Sequence, residues 1–226
     1  MDTQIKTKPV DKLMLSNDVT KVPLRMSYEE YLAWSDEDMH TEWVQGEVIE
    51  FMPPKTIHQT LNGFLHKLLS IFVELFNLGY VGIAPLEVRI SKISFREPDL
   101  VFVSRKRMNI VNDDRIDGAP DLIIEIVSKD SVQRDREDKF DEYEAAGVRE
   151  YWIIDNRPRR HSAEFYHLNR DGHYDRVEIE NNVFSSEVLP GFWLHTDWLW
   201  EKFPNALAAL DEIVGLEKLA RQFKKK

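Results

Sequence analysis

Between Thr56 and Gly79 the apolar positions are Ile57, Leu61, Phe64, Leu65, Leu68, Phe72 and Phe76. Steps of three and four put them on one side of an α-helix. Thr56 with Gln59 suggests a capping box at its start, and Gly79 a stop at its end. The stripe is wide, so this helix is expected to lie flat on a sheet. Upstream, "SYEEYLAW" predicts a short helix, with Ser27 as N-cap and Glu30 three residues on. "EWVQGEVIEFM" mixes apolar and polar residues around Gly46, as two short strands or a hairpin would, and Pro53 and Pro54 stop it.

Downstream, strands are predicted at about 80–90, 99–103 and 121–127, with "SRKRMNIVNDDRIDGAP" as a long charged loop. A second helix should span about 131–146, capped by Asp130 or Ser131 and closed by Gly147. "EYWIID", residues 150–155, reads as a strand. "AEFYHL" and "YDRVEI" flank a turn at Asp171-Gly172 and form a hairpin. "SSEVLPGFWLHTDWLW" supplies a strand and a short helix, and an amphipathic helix runs from Asn205 towards a final "KKK". The order predicts a mixed α/β domain. Residues 1–22 are expected as a flexible arm, 23–203 as the main domain, and 204–226 as a C-terminal helix with a basic tail.

A chain of 226 residues with 42 % hydrophobic content can bury a full core without staples. There is no cysteine, which excludes disulfides, thiolate zinc sites and a cysteine nucleophile, and suits a reducing cytoplasm. No apolar run approaches the roughly 20 residues of a membrane span, and the charged N-terminus has no apolar signal core. A cytoplasmic protein without a membrane partner is expected. The net charge of -10 argues against a large non-specific nucleic-acid surface. It leaves room for a small site whose carboxylates hold cations.

Two strand-like runs carry charges that strands covered on both faces cannot solvate. "REPDLVFV", 96–103, opens with Arg96, Glu97 and Asp99, and "DLIIEIVSK", 121–129, holds Glu125 among aliphatics. Asp121 and Glu125 share one strand, with Cα atoms about 13 Å apart, too far to grip one small ion. Asp99 and Glu125 lie on different strands, which converge if they are neighbours about 4.8 Å apart. Two such carboxylates repel or share a proton unless a cation lies between them. Mg²⁺ suits, since it takes one or two protein carboxylates and keeps waters or phosphate oxygens. Asp99 alone reads as a strand or turn cap, whereas Glu125 in its apolar run points to function. Asp135, Lys139 and Tyr143 are spaced by four and share a helix face. Lys139 could offset charge on a phosphate or orient a water; taken by itself, Asp135–Lys139 reads as an ordinary surface pair.

Taken together, "EPDLVFV", "GAPDLIIEIVS", "RDREDKFDEYEAAGVREYWIID" and "LPGFWL" resemble the Uma2 family, whose members resemble PD-(D/E)XK restriction-type nucleases. The resemblance runs from about Ser27 to Leu199. It implies a restriction endonuclease-like core, a central mixed sheet flanked by helices. It also implies a phosphodiesterase site with Asp99 and Glu125 as ligands of Mg²⁺ or Mn²⁺, acting on nucleic acid, DNA above all. The E-x-K lysine is missing, because its position is Val127; Lys139 matches the stand-in on the following helix. "EWVQGEVIEFMPPKTIHQ" resembles the family's N-terminal motif and brings forward Glu42, Glu47 and His58. Either glutamate is a candidate further ligand. His58, in a first helical turn, is expected neutral and able to accept a proton or bond a carboxylate.

The rival reading is a nuclease fold kept as a non-catalytic binding or regulatory module, which the missing lysine and the acidic surface both support. A weaker third reading is a phosphoesterase of small substrates. Trp152, Trp193, Trp198 and Trp200 read as core and interface aromatics, and "RPRRH", 157–161, as a solvated turn that could touch a phosphate backbone. Exposed aromatics in the β-rich tail are a candidate homodimer surface.

Overall fold

The wide apolar stripe forms the long helix expected of it, and that helix covers one face of a sheet. The computed structural model describes residues 24–35, 39–215, 217, 220 and 221. The expected arm at 1–22 and the final lysines lie outside the described residues. In chain order, β1 (Leu24–Arg25) and α1 (Tyr28–Trp34) lead into the hairpin β2 (Thr41–Val44) and β3 (Glu47–Glu50). The long helix α2 (Thr56–Phe76) is followed by β4 (Gly79–Ile83), β5 (Val88–Ser91), β6 (Ser94–Arg96) and β7 (Leu100–Ser104). β8 (Ile116–Asp117) and β9 (Leu122–Ile126) precede α3 (Lys139–Ala146). β10 (Glu150–Asp155), β11 (Ser162–Leu168), β12 (Tyr174–Arg176), β13 (Val183–Ser185), β14 (Trp193–His195) and α4 (Ala206–Val214) follow.

The mixed fold of sheets and helices is as expected, and it holds two six-stranded sheets, ordered β1-β3-β2-β6-β5-β8 and β12-β11-β10-β9-β7-β4, with a two-stranded β13-β14 ladder. In the second sheet only β9 and β10 run parallel. The single strand expected over 80–90 is in fact β4 and β5, one in each sheet. Pro85, which has no N–H for a ladder, stands between them. The stretch read as a loop holds a 3₁₀ helix at Arg105–Ile110 and the short β8.

Side-chain alternation divides the core. Leu100, Phe102, Leu122, Ile124 and Ile126 pack with α2, the β13-β14 ladder and the apolar face of α4. Val101, Val103, Ile123 and Val127 point the other way, into a cluster with Tyr143 and Val148. Val127, at the missing-lysine position, is therefore core. A small third cluster of Tyr31, Trp43, Val48 and Phe95 belongs to the first sheet and α1.

Local signals set most element ends. The Ser27–Glu30 capping box is present. Gln45 and Gly46, both at positive φ, make the tight β2–β3 turn. Gly147, at φ 83, closes α3 in the left-handed region. At α2 the expectations fail at both ends. Its N-cap is Lys55, still extended after the two prolines and without a side-chain cap bond, so Thr56 and Gln59 form no capping box. Its C-cap is Asn77 at φ 55, two residues before the predicted stop. Gly79 instead opens β4, where an added Cβ would sit 2.0 Å from Val103 O. Ile57 and Phe76, counted in the buried stripe, are each 41 % exposed at the helix ends.

The helix predicted over 131–146 does not run regularly. Asp135 N donates to Ser131 O, but over Arg134–Asp138 the backbone opens into a wide turn, with Lys139 N donating to Arg134 O five residues back. Such π-type turns place one extra residue in the helix.

Candidate functional site

β7 and β9 are antiparallel neighbours, with Leu100 opposite Ile124 and Val101 opposite Ile123. One step beyond the first of these pairs, Asp99 falls opposite Glu125. Asp99 Oδ2 accepts a 2.7 Å hydrogen bond from Ile126 N, which ties it to the end of β9. From the opposite layer, His58 in the first turn of α2 brings Nε2 to 3.3 Å from Asp99 Oδ1.

Glu125 is 4 % exposed, so its partners decide its state. Lys139 Nζ and Tyr143 Oη, one turn apart on α3, each donate to Glu125 Oε1 at 2.8 Å. Oε2 carries no hydrogen bond among the described residues. Burial, reinforced by the charges of Asp135, Asp99 and Glu42, holds the Glu125 carboxyl above the usual carboxylate range in spite of Lys139. Tyr143 stays a neutral donor, because burial and the glutamates beside it push its pKa well up.

Lys139 is the hub. Its Nζ lies 2.8 Å from Glu125, 3.2 Å from Glu42 Oε1 and 3.7 Å from Asp135 Oδ1. Its hydrogen bond goes to Glu125, while Glu42 and Asp135 face it as ion-pair partners. Burial opposes its charge, but Glu125, Glu42 and Asp135 outweigh burial and keep it protonated. Asp135 and Lys139 are 1 % and 3 % exposed, so the pair is not the surface pair that four-residue spacing suggests. The wide turn carries that stretch inward, where Tyr151 Oη donates to Asp135 O.

Glu42 enters from the other sheet. Arg96 donates to its Oε2 at 2.9 Å and Glu97 N to its Oε1 at 3.1 Å. Burial would raise its pKa, but Lys139 and Arg96 hold it down at about 2. Arg96 also donates to Glu142 Oε2 at 2.6 Å. The neighbouring Glu97 is pushed up to about 7 by burial and by the charges of Glu42 and Glu87.

Of the residues singled out, the structure gathers Asp99, Glu125, Lys139, Glu42 and His58, and leaves Glu47 outside, 3.4 Å from Arg25 on the far edge of the first sheet. At His58 the surroundings act against the helix-end effect expected to favour its neutral form. Burial disfavours its charge, yet the hydrogen bond and charge of Asp99 prevail and raise its pKa. Its Nδ1 is buried without a partner among the described residues, as is Arg134 Nε. Local pattern did not single out Arg96 as a member. The signal was its place as a cation opening a buried strand.

The oxygen donors suit a hard divalent cation. Glu125 Oε2 has no hydrogen bond among the described residues, and a bound cation would oppose the burial and the neighbouring carboxylates that raise the Glu125 pKa. Glu42 is committed to Arg96 and Lys139. Among the described residues no group of three or more histidine or carboxylate side chains has metal-holding geometry. Asp99 and Glu125 are the carboxylates that could hold such an ion, with water or phosphate completing its shell.

Residues 28–197 match the Uma2 family model, described as "Putative restriction endonuclease". The fold is also that of a solved "putative nuclease belonging to DUF820 from Anabaena variabilis ATCC 29413". That structure aligns with a TM-score of 0.62 and 16 % sequence identity over 76 % of this chain and 96 % of its own. No functionally curated protein matches the chain. No helix of the described residues is long and apolar enough to cross a membrane.

Proposed function

The chain belongs to the Uma2 family of putative restriction endonucleases, and on that premise we propose that it is a divalent-metal-dependent endonuclease cleaving phosphodiester bonds in DNA. The observation that carries this reading is Glu125, buried in a strand, opposite Asp99 and within 2.8 Å of the Lys139 amine. Asp99 and Glu125 would hold Mg²⁺ or Mn²⁺. When bound, such an ion lowers the pKa of a water and offsets charge developing on the phosphate. The chain's own groups do the rest. Ile126 N fixes the orientation of Asp99. Tyr143 and Lys139 hold Glu125 by Oε1, so that Oε2 is the oxygen turned to the ion. Lys139 keeps Glu42 and Glu125 from repelling each other apart, a positioning role, and its positive charge favours the extra negative charge that develops on an attacked phosphodiester. The partnerless Nδ1 of His58 is a donor or acceptor for a water or leaving oxygen near Asp99.

Glu125→Gln tests the reading. It keeps an acceptor for Lys139 and Tyr143 and removes the charge a metal needs. Loss of plasmid cleavage in Mn²⁺ with an unchanged melting curve is expected; unaltered cleavage would overturn the proposal. One observation favours the non-catalytic module: Lys139 is buried and its charge is already matched by three protein carboxylates. Wild-type protein that neither binds Mn²⁺ nor cuts any nucleic acid would establish that second reading.

A further inference from the structure

We infer that the cleft between α2 and the segment after β14 is a stacking site for an unpaired nucleobase, and that the substrate strand is presented single-stranded or locally unstacked. The inference rests on the nuclease reading and names the form of its substrate.

The cleft has a volume of about 380 Å³ and is lined by Ile57, His161, Trp200 and Phe203 among others. That falls in the range of small-molecule sites, about 300–1,000 Å³. Three of its lining side chains, His161, Trp200 and Phe203, offer π-faces. His161 is exposed and lies parallel on Trp200, with centroids 4.9 Å apart and planes 6° apart. Trp200 is half-buried and packs against the main core, which makes it a fixed backing. Phe203 is 75 % exposed, an unusual placement for so large an apolar side chain. Stacking on such surfaces tolerates any sequence because every base has a π-face.

The position is what a cutting enzyme needs. Ile57 lines the cleft, and the next residue, His58, touches Asp99. Asn156 also lines it and donates to Ile57 O at 3.1 Å, joining the end of β10 to the start of α2. The cleft thus lies at the carboxyl end of the parallel β9–β10 pair, where Glu125 also sits.

Charge selects the occupant. Asn156 and His161 are the ends of the loop that carries Arg159 and Arg160. Both arginines are exposed and have no ionic partner among the described residues. Lys202 lines the same opening, 5.4 Å from the Phe203 ring centroid, and the exposed Lys55 directly precedes the lining residue Thr56. On a chain of net charge -10, unpaired cations around an aromatic cleft complement a phosphate backbone whose bases turn inward. Glu201, also at the opening, is the one acid among the lining residues.

The experiment is fluorescence anisotropy of the full chain in EDTA, so that no strand is cut. The probes are labelled oligo-dT, a duplex of equal length and an abasic strand of equal length. The variants are Phe203→Ala, His161→Ala and the double variant, with both residues exposed so that the fold is preserved. The single strand should bind more tightly than the duplex, and its binding should quench tryptophan fluorescence. The double variant should weaken it by roughly tenfold or more, the loss expected for one or two stacked bases. The abasic strand should bind as weakly to wild type as oligo-dT does to the double variant. Equal affinity for duplex and single strand, or unchanged affinity in the double variant, overturns the inference. So does a dimer in sedimentation that the double variant dissociates, since the cleft would then be a self-interface. The two readings fail separately. Loss of cleavage in Glu125→Gln with no effect of Phe203 leaves a nuclease without this cleft; Phe203-dependent strand binding in a protein that never cuts leaves the cleft without the nuclease.

Discussion

Lys139 Nζ lies 2.8 Å from Glu125 Oε1, inside the protein, and the same amine reaches Glu42 on the other sheet at 3.2 Å. One cation therefore joins a strand of each sheet to the helix above them. Buried ion pairs of this kind contribute little net stability over apolar packing but are costly to break from one side.

Removing the cation alone should be severe. Lys139→Ala leaves Glu125, Glu42 and Asp135 facing one another without it, and a loss of about 3–5 kcal/mol is expected from breaking a buried pair. Urea denaturation at neutral pH measures it. A loss below about 1 kcal/mol would mean that solvent already screens the cluster.

Metal should reverse part of the strain. Mn²⁺ at a hundredfold excess over its Kd stabilises a protein that binds it only when folded by about 2.7 kcal/mol. The wild-type melting temperature should rise with Mn²⁺, and Asp99→Asn should abolish the rise while leaving the metal-free melting curve close to that of wild type. A rise that survives in Asp99→Asn would place the ion elsewhere.

The acid limb of the stability curve should report Glu42. Its pKa is depressed from the ordinary 4.5 to about 2 by Lys139 and Arg96 against burial. A depressed carboxylate contributes stability that is present above the unfolded pKa and lost as pH falls through the folded one. On the order of 3 kcal/mol should therefore disappear between about pH 4.5 and pH 2. Glu42→Gln should be less stable at neutral pH and show a shallower slope in that window; an identical slope would assign the acid transition to other groups.

Arg96 should not tolerate lysine. Its Nε bonds Glu142 at 2.6 Å while a terminal nitrogen bonds Glu42 at 2.9 Å. A guanidinium spans two acceptors in fixed directions and an ammonium does not. Arg96→Lys should cost about 2 kcal/mol by chemical denaturation, within the range for hydrogen bonds to charged groups.

How much of this was legible depends on the range of the interaction. Glu125 stood out because a carboxylate within "LIIEI" contradicts its surroundings, and Asp99 followed from the spacing of adjacent strands. Strand β10, from Glu150 to Asp155, was readable because its middle, Tyr151 to Ile154, is wholly apolar and it is bounded by Gly147 and the turn after Asn156. The division of 80–90 between two sheets was less visible, since both halves look like strand and only Pro85 marks the break. Glu42 meets Lys139 across sheets, a contact with no local period, and only a motif resemblance brought it forward. The Asp135–Lys139 pair was read as solvated because four-residue spacing says nothing about which side of a helix is covered.

The irregular turn at Arg134–Asp138 turns the phase of α3 into a functional coordinate. Each residue of an α-helix advances the chain by about 100°. Deleting one residue to make this helix regular would swing Lys139 and Tyr143 together by roughly that angle, away from Glu125. The redesigned segment would score better as a helix and address the wrong neighbour. In this protein, helical imperfection is how the amine is aimed.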